Sequence, residues 1–306
     1  MSNPIVIIFN PCSGGKDSSV KSHLLQCFAE AELDVCLLET EYSGHAVDLA
    51  RVAADEGARC FVSVGGDGTV SEMVNGLMRS SVDTKTLSFG VIPAGTGNDW
   101  CRYFKISTDM QQAVDIIKKQ KTMPIDVGRM CFDADGEQNC RFFVNSVGFG
   151  FDAEVVEKKE RMSCFGGKKW SYLVALAASV LKHRSVPMTL KMDSDQLESP
   201  IYTMSVANGP FTGGGIKQTP LAVPDDGFFD VMLATNLSPF GLIKGLWAIF
   251  RQKGESSGII KTFKTKEMHI HSERKPKIEA DGILQSEVQM PVHITMVPLA
   301  LNMIIP

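Results

Sequence analysis

The sequence lacks the features that define several large classes of protein. None of its eight cysteines forms a C-x-x-C pair or a Cys/His zinc spacing, and none lies beyond Cys164. A disulfide framework or zinc finger is therefore not expected, and we predict reduced thiols in a cytoplasmic protein. The longest apolar stretch, 172–181, has ten residues, about half of a membrane span. The first residues also lack the basic segment that begins a signal peptide.

An excess of positive charge is absent as well. Lys and Arg number 31 against 35 Asp and Glu, which gives a formal net charge of −4. Proteins that bind nucleic acid are usually basic, so we expect no nucleic-acid partner. The chain has 306 residues, 44% of them apolar, which is enough for two domains that each bury a core.

Short apolar strands alternate with helix-like segments in the first part of the chain, which predicts an open parallel α/β sheet. In such a sheet the ligand lies beyond the carboxyl ends of the strands. After about residue 123 the segments become short and strand-like, which predicts a β-rich, sandwich-like second domain. We place the domains at 1–123 and 124–298, and the last residues, 299–306, fit either one. The predicted strands are 3–9, 35–38, 60–64, 87–92, 141–149, 186–192, 200–207, 228–234, 259–271, 277–280 and 292–297; the predicted helices are 18–31, 45–56, 69–78, 152–162, 170–182 and 239–251.

A turn with three glycines follows the third predicted strand, at Gly65-Gly66-Asp67-Gly68-Thr69. Glycines permit close approach of the backbone, so successive N–H groups can surround a phosphate at the start of a helix. Thr69 can cap that helix or bind a phosphate oxygen, and Asp67 can hold a magnesium ion or a proton. The alternative is a tight strand–helix turn with no ligand.

Two further loops follow neighbouring strands. Pro93-Ala-Gly-Thr-Gly-Asn-Asp99 comes after the fourth strand, and Asn10-Pro-Cys-Ser-Gly-Gly-Lys16 comes after the first. The latter lacks the G-x-x-x-x-G-K-[ST] spacing of a P-loop, so a Walker nucleotide site is excluded. Because parallel strands end at one edge, the three loops are expected to line one crevice.

These three loops, in this order, resemble the nucleotide loops of the diacylglycerol-kinase catalytic family, most closely its bacterial soluble lipid-kinase branch. The segments 145–153, 207–215 and 224–230 are similar to later signatures of that family. The resemblance implies an NAD kinase-like ATP-binding domain followed by a lipid-substrate domain, with ATP and Mg²⁺ as cofactors. The residues that it places at the nucleotide are Asn10, Pro11, Cys12, Ser13, Gly14, Thr40, Gly65, Gly66, Asp67, Gly68, Thr69, Val70, Ser71, Thr96 and Asn98.

The resemblance also implies a structural magnesium site. Asp226 matches the family's ligand, and the carbonyl groups of Val223 and Phe228 would complete the site. Oxygen ligands of this kind suit magnesium. Without the other motifs, Asp225-Asp226-Gly227 would rather indicate a plain hairpin turn.

One position departs from the family pattern. Family members usually have Asp-Gly-Glu near the C-terminus, with the glutamate as proton acceptor, whereas this chain has Asp281-Gly282-Ile283. Isoleucine takes no proton, so we expect Asp281, together with Asp67, to deprotonate the substrate. Glu279 and Glu287 are nearby substitutes in the sequence.

Two segments bear on access to lipid. Between Val156 and Arg184 seven Lys or Arg residues stand against two Asp or Glu, interleaved with aromatic residues. Such a stretch is typical either of docking on anionic headgroups or of a solvated helix face. The apolar stretch 240–250 fits either a core helix or the lining of an acyl-chain cleft.

The sequence therefore predicts an ATP- and magnesium-dependent kinase that phosphorylates a lipid hydroxyl, with diacylglycerol or a related lipid as acceptor at a membrane surface. Two alternatives remain open: an NAD kinase-like enzyme, and a catalytically weakened lipid- or nucleotide-binding protein, the latter because of Ile283. An exposed sheet edge in the second domain is compatible with a homodimer.

Overall fold

The computed structural model describes residues 4–13, 18–134, 136–164, 183–193, 195–235 and 260–306. The helices predicted at 170–182 and 239–251, most of the basic stretch, and Gly14 lie outside the described residues. Within the described part of the chain, no helix is long and apolar enough to cross a membrane.

The first part of the chain is a parallel sheet with helices on both faces, as predicted. Strands β2, β1, β3 and β4 lie side by side in that order, and every pair is parallel. Helices α4 and α5 were not predicted from the sequence. The elements are β1 (Ile5–Phe9), α1 (Ser18–Glu30), β2 (Val35–Glu39), α2 (His45–Asp55), β3 (Cys60–Gly65), α3 (Asp67–Met78), β4 (Ser88–Pro93), α4 (Asp99–Phe104) and α5 (Met110–Lys119).

Alternation along the strands divides the apolar side chains between two cores. Val6 and Ile8 of β1 pack on the face covered by α2 and α3, whereas Ile7 faces α1 and α5 with the rest of the other core. Helices α2 and α3 approach closely because α3 has Gly76, where an added Cβ would lie 2.2 Å from the Val47 carbonyl oxygen. This packing fixes the helix whose first residues enter the candidate site.

The second part is β-rich and largely antiparallel, which confirms the predicted architecture. One core lies under its sheet and contains side chains from most of its strands. The elements are β5 (Thr122–Ala134), β6 (Glu137–Phe143), β7 (Ser146–Gly150), α6 (Phe151–Cys164), β8 (Val186–Met192), β9 (Gln196–Ala207), β10 (Phe211–Thr212), β11 (Ile216–Lys217), β12 (Phe229–Thr235), β13 (Ile260–Thr265), β14 (Glu267–His271), β15 (Ile278–Ala280), β16 (Ile283–Leu284) and β17 (Val292–Ile304).

The last strand joins the antiparallel and parallel parts into one continuous sheet. The first half of β17 pairs antiparallel with β14 and β5. After a register shift between Val297 and Leu301, Asn302 and Met303 pair in parallel with β4. One strand therefore links the β-rich part directly to the sheet that positions the glycine loops.

The expectation that every cysteine is a reduced thiol is wrong for one pair. Cys131 and Cys140 form a disulfide bond. They are direct cross-strand partners in the β5–β6 hairpin, so their side chains leave the same face of the sheet. The disulfide was not predicted, because no strand was predicted over the residues of β5. Five other cysteines are free: Cys12, Cys27, Cys36, Cys60 and Cys101.

Candidate functional site

Three loops meet beyond the carboxyl ends of β1, β3 and β4. The Asn10 N–H donates to the Val64 carbonyl at 3.0 Å, and the Ala94 N–H donates to the Gly65 carbonyl at 2.9 Å. These bonds continue the sheet ladder one residue past the strands, so the loops begin in register. The structure therefore brings together the three segments that were predicted to line one crevice.

Two glycines touch at the centre of this crevice. A Cβ on Gly95 would lie 2.4 Å from the Gly66 Cα, and a Cβ on Gly65 would lie 2.4 Å from the Thr69 hydroxyl oxygen. A side chain at Gly95 would force the two loops apart, and one at Gly65 would collide with Thr69 at the start of α3. The glycines are thus required by close packing of the β3 and β4 loops.

The N-terminus of α3 opens into the crevice. Its N-cap residue, Gly66, has no side chain to cap the helix. The N–H groups of Thr69 and Val70 donate to the Gly66 carbonyl at 3.0 and 3.3 Å, which leaves those of Asp67 and Gly68 at the helix start. Free N–H groups at the positive end of a helix dipole favour an anion such as a phosphate.

Thr69 and Asn10 join the first two loops. Thr69 does not cap α3; its hydroxyl oxygen accepts a hydrogen bond from Asn10 Nδ2 at 3.1 Å. Asn10 Oδ1 in turn accepts from the Cys12 N–H at 3.0 Å. Asn10 therefore shapes the 10–13 loop, with Pro11 and Ser13 half-buried and Cys12 exposed.

The remaining predicted nucleotide residues differ in exposure. Thr96 is exposed, whereas Thr40 is buried and donates its N–H to the Phe9 carbonyl at 2.9 Å. Val70 and Ser71 of α3 are fully buried, so their side chains pack inside the protein and do not face the crevice. Asn98 closes its own turn, because its side chain bonds both the N–H and the carbonyl of Gly95 at 3.1 and 2.8 Å.

Two carboxylates flank Gly97. Its added Cβ would lie 2.9 Å from Asp67 Oδ2 and 3.7 Å from Asp99 Oδ2. Asp67 Oδ1 accepts from the Trp100 N–H at 3.2 Å, which ties the start of α3 to α4. Asp67, predicted from the sequence, therefore has a second acid beside it.

Asp99, at the end of the 93–99 loop, was not among the predicted site residues, and its partner Gly214 is 115 positions away in the chain. Asp99 is buried, its Oδ2 accepts from the Gly214 N–H at 2.8 Å, and Gly214 belongs to the β-rich part. Its buried Oδ1 has no hydrogen bond, although Arg102 Nε lies 3.8 Å away. Burial raises the pKa of the Asp99 carboxyl, and the Asp67 charge adds to this rise. Two neighbouring carboxylates, one with an oxygen that no donor binds, fit a magnesium ion at this position.

Asp281, the predicted base, is held by backbone donors. It lies at a positive φ of 50° and its carboxylate accepts from the N–H groups of Val144, Asn145 and Ser146 at 2.9–3.0 Å. Burial raises its pKa while these donors oppose the rise. The contacts give Asp281 a structural part in the turn between β6 and β7, and its role as proton acceptor stays a prediction.

Glu279 forms a buried acidic pair with Asp152. Burial is the main reason that the pKa of Glu279 is raised to about 8, and the charges of Asp152 and Asp281 contribute. Gly148 leaves room for both acids, since its added Cβ would lie 2.5 Å from Glu279 Oε1 and 2.9 Å from Asp152 Cβ. Asp152 accepts from Gln218 Nε2 at 2.6 Å, and burial raises its pKa too.

Ile283 extends from β16 toward the glycine loop. Its Cδ1 lies 3.7 Å from the position of an added Cβ on Gly68. The position at which the family usually has its glutamate therefore faces the predicted phosphate loop. In this chain it presents a methyl group there.

The predicted structural metal site already contains a cation. Asp226 Oδ1 accepts from the Phe228 N–H at 3.0 Å, and its Oδ2 accepts from Lys264 Nζ at 2.7 Å. Lys264 also lies 3.3 Å from Asp230. The carboxylates outnumber the Lys264 ammonium group, because Asp126 and Asp225 lie close to Asp226 as well. The oxygen-rich set fits magnesium, but Lys264 would compete for Asp226.

The fold and the crevice together define the class of protein: a parallel α/β domain with glycine loops at its carboxyl edge, completed by a β-sandwich-like domain that returns its last strand to the first sheet. Residues 4–130 match the diacylglycerol kinase catalytic domain family. Residues 145–305 match the YegS C-terminal NAD kinase beta sandwich-like domain family. The chain belongs to the YegS-type diacylglycerol kinase family, as the motifs predicted.

Individual relatives agree with this assignment. YtlR of Bacillus subtilis (strain 168), which carries the name of a lipid kinase, is 30% identical over 296 residues, 90% of this chain and 91% of that protein. The diacylglycerol kinase of Mycobacterium tuberculosis (strain H37Rv) is 27% identical over 307 residues, 99% of this chain and 95% of that protein. A crystal structure of a diacylglycerol kinase from Bacillus anthracis str. Sterne shares the fold, with a TM-score of 0.73 at 22% identity over 99% of this chain and 97% of that one.

Proposed function

We propose that this protein is an ATP- and magnesium-dependent lipid kinase that phosphorylates a lipid hydroxyl, with diacylglycerol as the first acceptor to test. The observation that carries the proposal is the contact of Gly66 with Gly95 beneath the uncapped start of α3, with Asp67 and Asp99 beside it. The names of the relatives support the acceptor class.

Each of the three loops contributes differently to ATP binding. The N–H groups at the start of α3 bind phosphate oxygens, because a helix N-terminus favours negative charge. The 10–13 loop and the 94–98 turn line the two sides, each kept in shape by an asparagine. Thr96 adds an exposed polar group, and Thr40 a buried one next to the end of β1. Phosphoryl transfer depends mainly on such positioning and on charge neutralisation.

Magnesium would be held by Asp67 and Asp99. When bound, the ion neutralises charge on the transferring phosphate. Asp67 is the better exposed of the two acids, and only its Oδ1 accepts a hydrogen bond from the described residues. Asp99 also bonds the Gly214 loop, so it couples the ion site to the β-rich part. Asp226, with the carbonyl groups of Val223 and Phe228, would hold a second, structural magnesium in competition with Lys264.

Removal of the proton from the lipid hydroxyl is the step for which this chain departs from its family. Ile283 occupies the family's glutamate position and takes no proton. We assign Asp67 as the group that accepts this proton. Asp281 is the second candidate, although its carboxylate already accepts hydrogen bonds from three backbone amides. Because the usual glutamate is missing, we expect phosphoryl transfer to be slow.

The test incubates purified protein with labelled ATP, magnesium and a panel of lipids in mixed micelles. Label in diacylglycerol supports the proposal. Label in another lipid keeps the kinase activity and changes only the identity of the acceptor. Asp67→Asn serves as the inactive variant, and Asp48→Asn, on the exposed face of α2, as its matched control. ATP binding without labelled lipid would overturn the kinase proposal in favour of a binding protein.

NAD is the acceptor of the alternative enzyme class, because the second domain matches an NAD kinase beta sandwich-like family. The same assay with NAD in place of lipid separates the two. Labelled NAD with unlabelled lipid would assign the site to a nucleotide substrate.

A further inference from the structure

A cluster of metal-binding side chains lies outside the nucleotide crevice, on the outer face of the β-rich sheet. Residues 267, 269 and 271 of β14 point outward, because Met268 and Ile270 between them are fully buried in the core. His293 of β17 is the direct cross-strand partner of His269. Strand register alone therefore places two imidazoles side by side on one surface.

Glu267 joins these two imidazoles. Its Oε1 lies 3.1 Å from His269 Nε2 and 2.7 Å from His293 Nε2. The two rings stack with centroids 4.0 Å apart and planes 6° from parallel. One ligand atom from each of the three residues falls within 4.8 Å of the others. The two rings must turn out of their parallel stack before both nitrogen lone pairs point at a single ion.

We propose that Glu267, His269 and His293 bind one divalent transition-metal ion of the zinc type on the surface of the β-rich domain. Imidazole nitrogen and carboxylate oxygen are preferred ligands of zinc. Magnesium is excluded as the preferred ion, since it selects oxygen ligands. The site shares no residue with the nucleotide crevice and does not depend on the proposed kinase activity.

Among the residues that the structure describes, the neighbours of the two histidines in the same row of the sheet add no fourth ligand. Beyond His293 the next cross-strand residue is Cys131, whose sulfur is in a disulfide. Beyond His269 it is Lys191, a cation that does not coordinate metal while charged. Solvent therefore completes the coordination, as in zinc sites with an open position.

Metal binding would tie β14 to β17. The latter strand continues into the sheet of the first domain, where its end pairs with β4. A ligand that binds only the folded state raises stability by mass action. We expect the ion to stabilise the strand that connects the two domains.

The experiment is a calorimetric titration of zinc into chelator-treated protein, with excess magnesium present to fill oxygen-only sites. We expect one equivalent to bind wild-type protein, with at least tenfold weaker binding after His269→Ala or His293→Ala. His271→Ala is the matched control, since His271 is exposed on the same strand and face but outside the cluster. Cobalt absorption in the visible range checks nitrogen coordination in the same variants.

Thermal unfolding gives a second readout. Zinc should raise the melting temperature of wild-type protein and of His271→Ala, but not that of His269→Ala or His293→Ala. Equal zinc affinity in wild-type, His269→Ala and His293→Ala proteins would overturn the proposal and assign the bound ion to other groups, such as the exposed thiols of Cys12 and Cys36.

Discussion

Acidic side chains occupy different environments in the two domains. Asp67 and Asp99 lie beside glycines and each accepts a backbone N–H, while the other oxygen of Asp99 has no hydrogen bond. Glu279 and Asp281 of the β-rich domain are buried, and backbone N–H groups bind their carboxylates. The first environment suits a metal ion and substrate, whereas the second holds a turn in place. Function and support are thus separated between the domains, and four predictions test that separation.

Asp67→Asn should have the largest effect. The loss of one carboxylate charge at the magnesium position should lower kcat by ~10²–10³-fold, as expected when a group that stabilises transition-state charge is removed. The free energy of unfolding should change little, because Asp67 is only half-buried. Steady-state lipid phosphorylation and urea unfolding check both parts. Unchanged kcat would remove Asp67 from the mechanism.

Asp281→Asn should act on stability first. Three amide donors would lose an ionised acceptor, so we expect the free energy of unfolding to fall by about 2 kcal/mol. Activity per folded molecule should then exceed that of Asp67→Asn. If kcat falls a hundredfold or so while stability is kept, Asp281 is the proton acceptor and the separation between the domains breaks down.

Ile283→Glu should raise activity by about tenfold or more, because a carboxylate would then face the phosphate loop as a general base. Ile283→Gln is the matched control, with the same length but no basic group. The comparison of kcat for the two variants isolates proton transfer from packing. Equal kcat values would show that deprotonation does not limit this enzyme.

Glu279 should give the smallest effect, a pH dependence of stability. Its pKa is about 8 in the folded protein against an ordinary value of 4.5, so the folded state retains a proton that the unfolded state releases between these pH values. Stability should therefore fall as pH rises from 4.5 to 8, by about 1 kcal/mol or more. Urea unfolding of Glu279→Gln should show a flatter pH profile than wild type.

The parallel sheet could be predicted because each of its signals is local. The β1 run Ile5–Phe9 is apolar at every position and buried at every position, and the glycine loops follow their strands directly. The boundaries of α2 and β3 differ from the prediction by one residue each. In the second domain β5 was missed, and with it the Cys131–Cys140 disulfide, because hairpin register is not visible in a one-dimensional pattern.

The sequence by itself determined β1 to β4 and α1 to α3 of the first domain, the glycine loops and the family, since all of these depend on residues close in the chain. Only the tertiary structure decided how long-range partners meet. It placed Asp99 against Gly214, Ile283 over Gly68, and His293 beside His269. The physical reason is that these contacts arise from strand register and from the packing of the two domains against each other. Chain-distant residues become neighbours only when the whole sheet, including the shared strand β17, has formed.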